Sequence, residues 1–186
     1  SATADISANG LVVTQSGDAG EGSLRQAILN ANSDGVDSTI TFSGVSTVTL
    51  TTAELTLANN GALTMNGGAG VTVQRDSGAS AFRIFTVLPN ANVTINTVTI
   101  TNGSASGGGG IYNEGTLTVN NSTVSGNSAA DGGGIYNAGT LTLNNSIVSS
   151  NSATAIGGGI LNFVGTLTLN NSTVSGNSAV GGGGIY

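Results

Sequence analysis

The sequence predicts an all-β fold, a right-handed parallel β-helix (solenoid) of ~24-residue coils with a short N-terminal capping helix. Three observations predict it. The second half of the chain repeats itself. Each repeat alternates apolar and polar residues with a period of two. Only one segment of the chain carries a helical period, and it lies before the repeats.

The repeat is plain by eye. GGGIYNEGTLTVNNSTVSGNSAAD begins at Gly108, GGGIYNAGTLTLNNSIVSSNSATAI at Gly132, and GGGILNFVGTLTLNNSTVSGNSAVG at Gly157. A fourth copy opens at Gly182. The markers Ile111, Ile135, Ile160 and Ile185 are spaced 24, 25 and 25 residues apart. The extra residues fall at Ala155-Ile156 and Phe163-Val164, which the reading places in corners between strands. Fixed periods of this size mark solenoids.

Inside each copy, Leu117 and Val119 point one way while Thr116 and Thr118 point the other, and the same holds at Thr140 and Thr166. Val124, Val148 and Val174 sit between polar neighbours. The pattern predicts three strands of three to five residues per coil, joined by corners of Gly, Asn and Ser. One coil buries about four large aliphatics, worth roughly 1.5–3 kcal/mol each. Ordering its backbone costs about 1–2 kcal/mol per residue. A lone coil therefore cannot stand, and neighbours must share its ladder and core.

The corners repeat as faithfully as the core. Asn120, Asn144 and Asn170 fall in register. So do Asn121, Asn145 and Asn171, and Asn127, Asn151 and Asn177. Stacked Asn side chains form hydrogen-bonded ladders, and Asn tolerates the left-handed backbone of a sharp corner. Asn-x-Ser/Thr triplets such as Asn121-Ser122-Thr123 read first as corners and only second as glycosylation sites. The GGG runs suit positive φ and close backbone approach.

Upstream, residues 39–107 read as degenerate coils, with VTINTVTITNG from Val93 aligning to LTVNNSTVSGN from Leu117. Leu55, Leu57, Leu63, Met65, Val71 and Val73 are inward candidates. The charged stretch from Arg75 to Phe85 reads as a protruding loop, with Asp76, Arg83 and Phe85 in a solvated turn. Residues 1–38 form an N-terminal cap. There, Ser23 and Gln26 make a capping box. Leu24, Ala27, Ile28 and Ala31 form one apolar helical face, and Gly35 stops the helix. The helix is expected to cover the open end of the core. The chain thus reads as one domain, 1–186, of about seven coils, with regular repeats over 108–186. Tyr186 falls mid-coil, so the reading expects the β-helix to continue, or that end to be covered by another chain through self-association.

Composition narrows function. Charged residues are only 6% of the chain, against a usual share of about 25%. The only cations are Arg25, Arg75 and Arg83, too few and too scattered for nucleic acid or a polybasic membrane contact. There is no Cys, so no disulfide or thiolate chemistry. No apolar run is long enough for a transmembrane segment. From Ile84 onward the only acids are Glu114 and Asp131, and no paired carboxylates recur on one face as glycoside hydrolysis would require. Asp34 and Asp37 read as turn residues. The sequence therefore predicts no catalytic residues, no cofactor and no metal.

The candidate binding faces are two. One is the array Thr116, Thr118, Thr140, Thr142, Thr166 and Thr168. The other is a column of Tyr112, Tyr136, Leu161 and Tyr186, which holds all three tyrosines of the chain.

SGNSAADGGGI from Ser125, with its copies, resembles the paired FxxNxA and GGAI repeat of chlamydial polymorphic outer membrane proteins. Val124, Val148 and Val174 stand at the Phe position, and GGGI stands for GGAI. SGDAGEGSLRQAILNANSDGVDSTITF from Ser16 is similar to the start of bacterial surface-protein domains whose GSLRQAI-type segment leads into β-helix repeats. The resemblance implies a secreted or surface-exposed, non-catalytic adhesive stalk, with a host-cell, matrix or glycan surface as partner. Two alternatives stay open: a polysaccharide-active β-helix enzyme, and an ice-binding protein that uses the Thr-x-Thr face.

Overall fold

A computed structural model describes residues 11–58 and 61–186. Residues 1–10 of the expected cap, and Asn59 and Asn60, lie outside the described residues. The described chain is a parallel β-solenoid of about six turns with one short helix.

The elements follow the coils. β1 (Val12–Val13) and α1 (Leu24–Asp34) precede the first coil, which holds β2 (Ser38–Phe42), β3 (Thr47–Leu50) and β4 (Leu55–Leu57). The second holds β5 (Ala62–Arg75) and β6 (Phe85–Val87). The third holds β7 (Asn92–Thr101), β8 (Ser104–Gly107) and β9 (Ile111–Asn113). Next come β10 (Thr116–Asn120), β11 (Thr123–Ser125), β12 (Ser128–Asp131) and β13 (Ile135–Asn137). After them come β14 (Thr140–Asn144), β15 (Ile147–Ser149), β16 (Ser152–Ile156) and β17 (Ile160–Asn162), then β18 (Thr166–Asn170) and β19 (Thr173–Ser175).

Three sheets run along the solenoid. The largest follows the path β1-β2-β5-β7-β10-β14-β18, with β3, β11, β15 and β19 attached. The second is β8-β12-β16, and the third is β4-β6-β9-β13-β17. The coils differ from the expected layout in four respects. Each regular coil has four strand segments rather than three, because a corner at Asn121 divides the largest sheet's contribution in two. The turns number about six rather than seven. The second coil is long: Leu63 pairs with Val93, 30 residues on. The extra residue at Ala155-Ile156 is a bulge within β16 rather than a corner, where the register to β12 shifts.

Parallel register sets the core. Ile40, Met65, Ile95, Val119 and Leu143 form one fully buried column through five coils. All six inward candidates of the degenerate region are buried. The stretch from Arg75 to Phe85 is not the solvated turn expected from the sequence. Phe85 is wholly buried. Arg75 staples the loop by donating to the carbonyls of Asp76, Ala79 and Asn102. Asp76 alone behaves as a turn residue, accepting from the Gly78 amide.

The Asn columns divide by task. Asn96, Asn120, Asn144 and Asn170 form a side-chain ladder with 2.8 Å steps. Asn127, Asn151 and Asn177 form another, linked at 3.0 Å. Asn121, Asn145 and Asn171 instead supply corners, each at φ 49. A further ladder, Asn113–Asn137–Asn162, runs beneath the third sheet at 2.7 Å per step. Within the GGG runs the demand differs by position. Gly132 has φ 61. Gly133 has an ordinary φ, but a Cβ there would collide with the backbone oxygens of Ser152 and Gly158.

At the N-terminal end α1 buries Leu24, Ala27, Ile28 and Ala31 in the same core. Ser23 caps it by accepting from the Gln26 amide, and Gly35 ends it at φ 68. The box is only half closed, since the Gln26 side chain turns to Asn30. Asp18 ties this cap to the first coil. Its carboxylate accepts from the Thr51 and Thr52 amides at 2.9 and 2.8 Å, from the Thr52 hydroxyl, and from Arg25 Nε and Nη2. Arg25 in turn donates to the carbonyls of Ala53 and Glu54.

Candidate functional site

Two outward surfaces carry unspent polar groups. The first is the face of the largest sheet. Thr118, Thr142 and Thr168 pair in register, and the column extends through Thr94 and Thr64 to Thr39, making it six coils deep. Thr116, Thr140 and Thr166 form the parallel column beside it. Parallel pairing spaces the hydroxyls about 4.8 Å between coils and about 6.6 Å along each strand. None of these nine hydroxyls makes a hydrogen bond among the described residues. No charged residue stands in either column.

Sequence reading missed a companion column. Thr47, Thr72, Thr99, Thr123 and Thr173 share one register on the neighbouring part of the sheet, interrupted by the exposed Ile147. Its signal was available in the Thr that precedes Val48, Val73, Ile100, Val124 and Val174.

The second surface lies beside the tyrosines. Tyr112, Tyr136 and Leu161 pair in register, as the sequence implied. The Tyr112 and Tyr136 rings stack with centroids 4.8 Å apart. Arg83 covers the other face of Tyr112, 4.7 Å from its centroid, and Phe163 lies tilted against Tyr136 at 6.0 Å. The ring faces are thus taken up by the stack and not free as a platform. Leu161 is buried, and Tyr186 is exposed in the next coil. Burial raises the Tyr136 hydroxyl above its ordinary pKa, with Tyr112 and Asp131 adding to the effect.

Next to this stack is an open cleft of about 460 Å³, lined by Glu54, Arg83, Thr86, Tyr112, Glu114 and Asp131 among others. The sequence shows no recurring pair of carboxylates, but successive coils bring these three acids to one groove. Glu54 is engaged, with Oε2 3.1 Å from Arg83 Nε and Oε1 accepting from the Thr86 hydroxyl. The Arg83 pair is misaligned, so buried Nε has no hydrogen bond. Among the described residues neither Arg83 Nη, nor the Glu114 or Asp131 carboxylate, has a hydrogen-bond partner. The other arginines differ: Arg25 and Arg75 are spent on backbone carbonyls and Asp18. No group of three or more His, Cys, Asp or Glu among the described residues is placed to hold a metal ion. No described helix is long and apolar enough to cross a membrane.

Compared with family models, curated proteins and solved structures, the chain gives no match.

Proposed function

We propose that the chain is a non-catalytic, rigid segment of a secreted or cell-surface protein, an adhesive stalk that offers its threonine face to a host-cell, matrix or glycan surface. The observation that carries this reading is the six-coil Thr column. Thr39, Thr64 and Thr94 continue it through coils whose other outward positions have drifted to Ala62 and Asn92. Column depth of that kind serves a surface, since packing inside the sheet does not need the hydroxyls. By contrast, the repeated Asn and Ser of the corners are consumed by coil-to-coil bonds. The resemblance of the GSLRQAI-type cap and of the repeats to bacterial surface proteins supports the same reading.

Ice binding is the second reading, and the two-dimensional regularity of the free hydroxyls favours it. One substitution separates the two. Thr142→Tyr sets a bulky ring in the middle of the face and leaves the core untouched. Adhesion predicts that binding to a cell or matrix panel falls at least tenfold, with an unchanged circular dichroism spectrum and no thermal hysteresis in the parent. Thermal hysteresis in the parent that Thr142→Tyr abolishes would replace adhesion by ice binding. A parent that binds no surface and does not affect ice would remove both.

A further inference from the structure

Unpaired donors and acceptors that face the same groove define what the groove can complement. Arg83 is held in place by its ion pair with Glu54 and by the Tyr112 ring, so its free Nη groups are pre-positioned donors. Glu114 and Asp131 supply free acceptors from the next two coils. A ligand for this groove must therefore both donate and accept hydrogen bonds over a short distance. Its charge is constrained too. Glu54 offsets Arg83, which leaves two uncompensated carboxylates and disfavours an anion. A row of sugar hydroxyls meets these demands: each donates to a carboxylate and accepts from a guanidinium. The groove is open at its sides and its 460 Å³ exceeds what one sugar ring fills, so it suits a stretch of chain rather than a monosaccharide.

We propose that the cleft lined by Arg83, Glu114 and Asp131 binds a neutral oligosaccharide, edge-on to the Tyr112–Tyr136 stack. The site is separate from the threonine face, and it stands or falls without the adhesive reading of that face.

The test is a titration of the intact chain, followed by the ring resonances of Tyr112 and Tyr136. The probes are neutral gluco-, manno- and galacto-hexasaccharides, a galacturonate hexamer and a glucosamine hexamer. At least one neutral probe is expected to shift both rings, with an affinity little changed by salt. Glu114→Ala and Asp131→Ala remove no internal hydrogen bond, so both variants should fold, and each should weaken that binding at least tenfold. Arg83→Met should do the same; because it also loses the Glu54 pair, its melting temperature is compared with the parent's. Thr142→Tyr should leave the binding unchanged. No shift with any neutral probe, binding of the glucosamine hexamer alone, binding of the galacturonate hexamer alone, or neutral binding untouched by Glu114→Ala and Asp131→Ala would each overturn the proposal.

Discussion

Asn151→Ala is expected to destabilise the protein by about 3–5 kcal/mol, because it strands several buried polar groups at once. Asn151 is almost wholly buried. Its Oδ1 accepts from both the backbone and the side-chain amide of Asn127, and its Nδ2 donates to the Val124 carbonyl and to Asn177. Alanine leaves the Asn127 amide without its acceptor and the Asn127–Asn151–Asn177 ladder broken in the middle. The melting temperature should fall by roughly 10 °C, from the usual scaling for a chain of this size. Asn145 gives the internal control. It has the same residue type in the same coil, but its side chain is exposed and makes no hydrogen bond among the described residues. It is at φ 49, a left-handed conformation that Asn tolerates better than Ala, so Asn145→Ala should cost only about 1 kcal/mol. Equal effects at the two positions would mean that the ladder adds nothing to stability.

Asp18→Ala is expected to detach the N-terminal cap from the first coil at a cost of about 3–5 kcal/mol, leaving a part-buried Arg25 without its counter-ion. The same network sets an acid limit. Burial alone would raise the Asp18 pKa. Hydrogen bonds from the Thr52 hydroxyl, the Thr51 amide, Arg25 and the Thr52 amide outweigh it and lower the value from 3.8 to about 2. A folded-state pKa below the unfolded one means stability that is full above about pH 4 and lost as pH falls toward 2. The loss is about 2 kcal/mol. Melting temperature followed from pH 5 to pH 2 should drop more steeply in the parent than in Asp18→Asn, whose residue 18 does not titrate. Parallel curves would contradict the assignment.

The fold was legible because its determinants are local and repeated. TLTV and TLTL state the face of each strand within four residues, and the Ile111, Ile135, Ile160 spacing states the coil. Ser23 and Gly35 bracket the helix on the same terms. What stayed hidden depends on contacts between coils whose sequences do not resemble one another. Asp18 meets Thr51 and Thr52 only because the cap folds over the first coil. Glu54, Arg83, Glu114 and Asp131 come from different coils and from a loop with no repeat, so no spacing announces the cleft. The Asn columns show the boundary well. Register was readable for all of them, but whether a column bonds through its side chains or bends the backbone was not. Asn120 and Asn121 are neighbours with opposite tasks, decided by a φ of 49 at the second.

One parallel register stacks Thr39, Thr64, Thr94, Thr118, Thr142 and Thr168 in a single line. The chain has no Cys, so Thr39→Cys with Thr168→Cys gives one unique pair for spin labels. Five interstrand steps at about 4.8 Å predict a backbone separation of about 24 Å, seen as one narrow distance distribution between residues far apart in sequence. A distribution centred beyond about 35 Å, or one broad enough to mean no fixed register, would contradict the stacked solenoid and the threonine face built on it.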